Sequence, residues 1–92
     1  MADCLARIAT PDGEGYIKKL CIHFRHKVEA DWQERQGWVQ FAMGRCELNA
    51  GAGHLEVRCT AATPAELAAV ADTVKSHFDR FAVRDGLVLR WA

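Results

Sequence analysis

The chain has no net charge: its 92 residues carry 12 Lys and Arg against 12 Asp and Glu. Without a surplus of cations there is no field to hold a phosphate backbone, so general nucleic-acid binding is disfavoured. A long apolar run is also missing. Asp3, Arg7, Asp12, Glu14, Lys18 and Lys19 interrupt the N-terminal stretch, leaving no signal-peptide pattern and no bilayer-spanning segment. The expectation is a cytoplasmic protein that meets neither nucleic acid nor membrane. No Cys-x-x-Cys pair occurs among Cys4, Cys21, Cys46 and Cys59, which removes the zinc-knuckle and thioredoxin-like patterns. Gly-x-Ser-x-Gly, the P-loop and the dinucleotide fingerprint are absent too. The common hydrolase and nucleotide-binding classes therefore find no local support.

The residues that are present describe one α+β domain over 1–92, since a chain of this length is too short for two. Cys4, Ala6 and Ile8 alternate along a first strand, and Thr10-Pro11-Asp12-Gly13 breaks it. Ile17, Leu20, Cys21 and Phe24 then follow the spacing of one buried helical stripe over about 14–25. Val28 to Glu34 and Trp38 to Met43 alternate as strands, with Gln36-Gly37 assigned to the hairpin between them. Cys46, Leu48 and Ala50 mark a fourth strand and Leu55, Val57 and Cys59 a fifth, with a glycine turn between. All four cysteines fall on core-facing positions, where a reduced thiol behaves as a small apolar residue. Thr63-Pro64-Ala65-Glu66 reads as a capping box with proline at the first helical position. The helix it opens carries Leu67, Val70, Ala71, Val74, Phe78 and Phe81 on one face. Leu87, Leu89 and Trp91 alternate as a sixth strand.

The expected order is β-α-β-β-β-β-α-β, a mainly antiparallel sheet with both helices on one face. The four middle strands form a meander, and the first strand lies beside its last member, as in TATA-binding-protein-like folds. A ferredoxin-like arrangement with an inserted hairpin is the alternative.

The chemistry-bearing residues gather at two helix ends, His23-Phe24-Arg25-His26-Lys27 and His77-Phe78-Asp79-Arg80 followed by Arg84-Asp85. Residues three and four apart share a helix face. His23 falls at the edge of its helix's buried stripe, beside Tyr16 and Leu20, and His77, Arg80 and Arg84 fall along one flank of the other. If the helices lie side by side, His23 and His77 face each other. Three functions are open to such a cluster. His23, His26 and His77 are candidate metal ligands, but Cys21 is not: it lies about 200° around the helix from His23. Lys27, Arg80 and Arg84 with the histidines can receive a carboxylate or phosphate, although cations there also complement the helix dipole. His23 or His77 can act as acid or base, with Asp79 or Asp85 as the orienting carboxylate. Trp38 and Gln40 fall on the open sheet face, where an exposed indole marks a homodimer contact. Trp32 and Trp91 fit the core, and His54 reads as a solvated loop residue.

Taken together, Tyr16…Leu20-Cys21-x-His23-Phe24-x-His26-Lys27, Gly44-x-Cys46-x-Leu48 and His77-Phe78-x-Arg80-Phe81-Ala82-x-Arg84-Asp85 resemble domain-of-unknown-function family 2218. The resemblance extends from the first strand to Trp91. It implies a small bacterial domain with no assigned activity. Related domains stand alone or are attached to flavin-containing siderophore-interacting reductases, which implies a place near iron handling. The positions that carry over are His23, His26, Lys27, His77, Arg80 and Arg84. Asp85 stands where the family often has Glu. The favoured expectation is an accessory module that recognises an anionic small molecule or partner in siderophore-iron metabolism. A metal- or histidine-dependent enzyme and a homodimeric interaction domain are the alternatives.

Overall fold

The computed structural model describes all 92 residues. Its elements are β1 (Ala2–Ala9), α1 (Gly13–Arg25), β2 (Glu29–Gln33), β3 (Gln36–Gln40), β4 (Arg45–Gly51), β5 (His54–Ala61) and α2 (Pro64–Ala82), closed by a 3-10 turn at Val83–Asp85. The strands form one sheet in the order β1-β5-β4-β3-β2, and every neighbouring pair is antiparallel. The meander is therefore present, and β1 pairs with β5 as expected. With β1 at an edge, the ferredoxin-like alternative is not the one adopted. Because β1 and β2 occupy opposite edges, α1 must cross the whole width of the sheet to join them.

Both helices pack on the same face. Tyr16, Ile17, Leu20, Cys21 and Phe24 of α1 and Val70, Val74 and Phe78 of α2 meet Ile8, Val39, Leu48, Leu55 and Val57 of the sheet in one core. Each large side chain fully removed from water there contributes roughly 1.5–3 kcal/mol. At the start of α2, Thr63 Oγ1 accepts from the Glu66 amide at 3.2 Å. The expected return contact differs in detail: the Thr63 hydroxyl itself donates to the Glu66 carboxylate at 3.1 Å. The opposite sheet face is polar and self-neutralising, with Arg7 on Glu56 at 2.8 Å, Arg58 on Asp3 at 3.3 Å and Arg45 on Glu47 at 3.5 Å.

The β2–β3 hairpin turns earlier than expected. Gln33 pairs with Gln36, so Glu34 and Arg35 form the turn, and Glu34 takes φ 47°. Gly37 lies inside β3 instead. A Cβ on Gly37 would stand 2.6 Å from Ile17 Cγ2 and 3.0 Å from Cys21 Sγ. The missing side chain is the space in which α1 rests on the sheet.

The sixth strand does not form. Gly86, at φ 69°, turns the chain after the 3-10 segment, and residues 87–92 run as an extended tail beside α2. The Leu89 amide donates to Asp79 Oδ1 at 2.8 Å, and Lys75 Nζ donates to the Leu89 carbonyl at 2.8 Å and to Asp79 Oδ2 at 2.6 Å. One bond reaches the sheet, from the Ala92 amide to the Leu5 carbonyl at 2.8 Å. The alternation of Leu87, Leu89 and Trp91 is real, but it seats Leu89 in the core under α2.

Cys59 sits between Cys4 and Cys46 in the cross-strand register. All four cysteines are free thiols; Cys21, Cys46 and Cys59 are buried, and Cys4 is only partly so. Burial, then the neighbouring Cys59, pushes the Cys4 thiol up to about 11, and burial pushes Cys21 up to about 11. Thiols held so far from the thiolate are poor nucleophiles and serve as core.

Two substitutions test these packing assignments. Gly37→Ala is expected to lower stability by about 1–3 kcal/mol in a urea titration, because the buried, branched Ile17 cannot yield space freely. Asp79→Ala is expected to cost about 1.5–3 kcal/mol, the range for a hydrogen bond to a charged group, and to speed amide hydrogen exchange at Leu89. A Leu89 amide that exchanges at an unchanged rate would show that Asp79 does not clamp the tail.

Candidate functional site

The two helices run antiparallel against each other, and their seam has a polar cluster at each end. At one end, Tyr16 packs on Phe78 with ring centroids 5.2 Å apart, and its hydroxyl donates to Asp85 Oδ2. At the other end, His23 and His77 stand with ring centroids 4.8 Å apart and planes tilted by 45°. Tyr16 and His23 are two helical turns apart on α1, about 10 Å, and Asp85 and His77 are spaced to match across the seam.

The imidazole pair belongs to a longer aromatic row. His23 makes edge contacts with Phe24 at 5.5 Å and Phe81 at 5.4 Å; His77 meets Phe24 at 4.8 Å, and Phe24 meets Phe41 at 5.1 Å. His77 Nδ1 lies 2.7 Å from the Thr73 carbonyl. A carbonyl only accepts, so Nδ1 carries the proton and the lone pair of neutral His77 sits on Nε2. The α1 side is fixed by its C-terminus, where the Lys27 and Val28 amides both bond the Phe24 carbonyl at 3.0 and 2.9 Å.

A cleft of about 350 Å³ opens beside the pair, lined by His23, Phe24, His26, Lys27, Val28, Phe41, Thr73 and His77. A second hollow of about 440 Å³ lies on the other side of His23, among Lys19, Ile22, His26 and Phe81. Neither contains a carboxylate. Loss of water around the ring, followed by repulsion from His77, His26, Arg80 and Lys27, holds His23 below the ordinary imidazole range.

Four of the six expected site residues, His23, His26, Lys27 and His77, line this one cleft, and Arg80 adds its charge to it. Arg84 does not join them. The α-helix stops at Ala82, and the 3-10 turn carries Arg84 to the other end of the seam, where its charge acts on Tyr16. The expected metal ligands do not assemble: no three His, Cys, Asp or Glu side chains are spaced to hold an ion. The two aspartates considered as partners for the histidines are engaged elsewhere, Asp79 with Lys75 and Leu89, and Asp85 with Tyr16. His77 is oriented by a backbone carbonyl instead. His54, expected in a loop, begins β5 and its ring covers Gly51. Phe41 and Thr73 join these residues at the site; Thr73 lies one helical turn before His77, a spacing that could have pointed to it, whereas Phe41 comes from a segment remote in sequence that nothing in its spacing announces.

A larger hollow of about 640 Å³ lies on the sheet, around Asp31, Gln33, Gln36, Trp38, Glu47 and Asn49. Trp38 is partly covered there by the Arg45 guanidinium, 4.7 Å from its centroid. Arg45 in turn bonds Gln40 at 3.3 Å and pairs with Glu47. Arg45 and Glu47 of that hollow pair with each other and Asp31 accepts from the Trp32 amide at 2.9 Å, whereas Lys27 of the helix cleft has no ion-pair partner.

Fold and seam together define a β-α-β4-α domain with a cleft between antiparallel helices. The chain belongs to the family described as an uncharacterised protein conserved in bacteria, domain of unknown function 2218, which matches residues 5–92. It is similar to the NMR structure of PA4090 from Pseudomonas aeruginosa, with a TM-score of 0.81 and 26% identity over 100% of this chain and 96% of that one. No curated protein matches it. No helix is long and apolar enough to cross a membrane.

The Tyr16 end of the seam can be read directly, because Tyr16 is the only tyrosine. Burial, the bond to Asp85 and the Asp85 charge push its phenol up to about 12 from 10. Tyrosinate absorbance is therefore expected to titrate near 12 in the wild type. In Asp85→Asn it should move down without reaching the free value, since burial remains. A raised folded pKa favours the protonated phenol, so this stabilisation is complete below pH 10 and is lost as pH climbs toward 12. Titration of the folded wild type at the free-phenol value would remove the Tyr16–Asp85 tie.

Proposed function

We propose that the domain binds a small amphiphilic anion in the cleft between the end of α1 and the flank of α2. One observation carries this reading: the cleft has an aromatic and aliphatic floor in Phe24, Val28 and Phe41, a rim of His23, His26, Lys27 and His77, and no acid. Small-ligand sites combine these two parts, an apolar body contact and a few polar groups that fix orientation. An ionised ligand adds charge-assisted bonds to Lys27 and the imidazoles. None of Lys19, Lys27 and Arg80 takes part in an ion pair within the chain, so their charges are available. The acidic small molecules of siderophore-iron metabolism belong to this chemical class, and a siderophore-interacting reductase is the partner that such a module would serve.

Ligand titration by NMR tests the proposal, using benzoate, hexanoate, inorganic phosphate and a set of siderophores while following the ring signals of His23 and His77. Benzoate and hexanoate should bind more tightly than phosphate, because phosphate leaves the floor uncovered. Lys27→Gln combined with Arg80→Gln should weaken binding by about tenfold or more, corresponding to loss of roughly 1.5–3 kcal/mol of charge-assisted contact. Benzoate and hexanoate that leave both imidazoles unshifted would refute the proposal.

A further inference from the structure

The facing imidazoles give the cleft a property beyond simple charge attraction. We infer that anion capture in this cleft is linked to proton uptake, with one proton passing from solvent to the His23–His77 pair as the ligand enters and leaving as it departs. The inference rests on the anion reading above and names how that same site is regulated.

The groups that face the pair set the balance. From α1 and the turn that follows it these are Lys19, His26 and Lys27; from α2 they are His77 itself and Arg80. The sheet side contributes Phe41, which has no charge. On the His23 side the nearest acid along the chain, Glu29, lines a separate hollow with Arg25, His26 and Lys27 rather than the cleft. Asp79 is held by Lys75 and the Leu89 amide. In the empty cleft, a proton on either ring would thus meet only neutral or positive neighbours, with the second imidazole 4.8 Å away. The lowered affinity of His23 for protons agrees with this.

An entering anion reverses the sign of that field. The proton then has a place to go without any rearrangement. Nδ1 of His77 keeps its bond to Thr73, and Nε2 receives the new proton. His23 is the other acceptor, one ring away. The second imidazole stays neutral, because two charges at this separation repel. The pair therefore takes up one proton per ligand, not two. By linkage, whatever raises proton affinity on binding makes binding tighten as protons become available. Affinity is expected to be flat at alkaline pH and to tighten by about tenfold per pH unit as pH falls through the imidazole range.

Calorimetry with benzoate, which stays ionised over that range, tests this in two buffers of different ionisation enthalpy. The expected result is uptake of close to one proton per benzoate near the middle of the range. It should fall toward zero at alkaline pH, with the ring nitrogen shifts of His77 or His23 moving to their protonated values in the complex. His77→Gln and His23→Gln should each reduce the uptake and flatten the pH dependence. The wild-type nitrogen shifts decide the matter even if a variant fails to fold. Benzoate binding with no proton uptake and no pH dependence would overturn the inference and leave the anion site standing. No benzoate binding at any pH would overturn both.

Discussion

The seam between α1 and α2 is the constraint on which the rest depends, and its register is set by Tyr16. The phenol is buried against Phe78, so its hydroxyl must find a partner, and Asp85 supplies it. A hydroxyl taken out of water and left unbonded costs about 1–3 kcal/mol. A slip of one helical turn would incur that cost, and it would also carry His23 about 5.4 Å from His77. The imidazole pair is thus positioned by an interaction two turns away. The seam also requires α1 to lie close to the sheet, and this is why β3 has a glycine at position 37 under Ile17 and Cys21.

Much of this was legible because it is periodic. The stripes Ile17-Leu20-Cys21-Phe24 and Val70-Val74-Phe78 specify which helix faces are buried, and the same faces place His23 and His77 on neighbouring edges. Alternation gave the five strands, and the short connections gave the meander. Where the reading failed, two structures shared one pattern. Leu87, Leu89 and Trp91 alternate as a strand would, yet an extended tail fastened to a helix alternates as well. The choice was made by Lys75 and Asp79, which take the backbone groups of Leu89 that a neighbouring strand would have taken. Glycine permits turns, so Gly37 beside Gln36 reads as part of a hairpin connection. Its actual role is close approach of a helix, which depends on a residue 20 positions away.

Arg84 shows the same limit within the site. Continuing the helical angle past Ala82 places it on the flank of His77 and Arg80. The chain instead tightens to a 3-10 turn there, which advances 120° per residue rather than 100°. Arg84 leaves that flank and Asp85 swings onto Tyr16. One change of winding thus removes a cation from the cleft and supplies the carboxylate that fixes the seam. Phe41 lies beyond sequence reasoning for a different cause. It joins the cleft through the β3–β4 connection, and such a long-range contact has no local signature, whereas Thr73 is legible as the residue one turn before His77.

A chain of zero net charge can still present a strongly one-signed site if it segregates its charges, and this one does so by topology. Arg7, Arg45 and Arg58 all lie on the open sheet face, where alternation and register put Glu56, Glu47 and Asp3 within reach. Lys19 and Arg80 lie on the helices and Lys27 in the turn after α1, and none of the three pairs with an acid. Surface pairs of this kind contribute about 0–1 kcal/mol, so the pairing on the sheet does little for stability. Its larger effect is on the field. Acids bound to their own arginines are nearly cancelled beyond a Debye length of about 8 Å, and so they do not offset the cations on the far side of the sheet. The cleft then keeps its local positive charge, while the molecule as a whole carries no net charge.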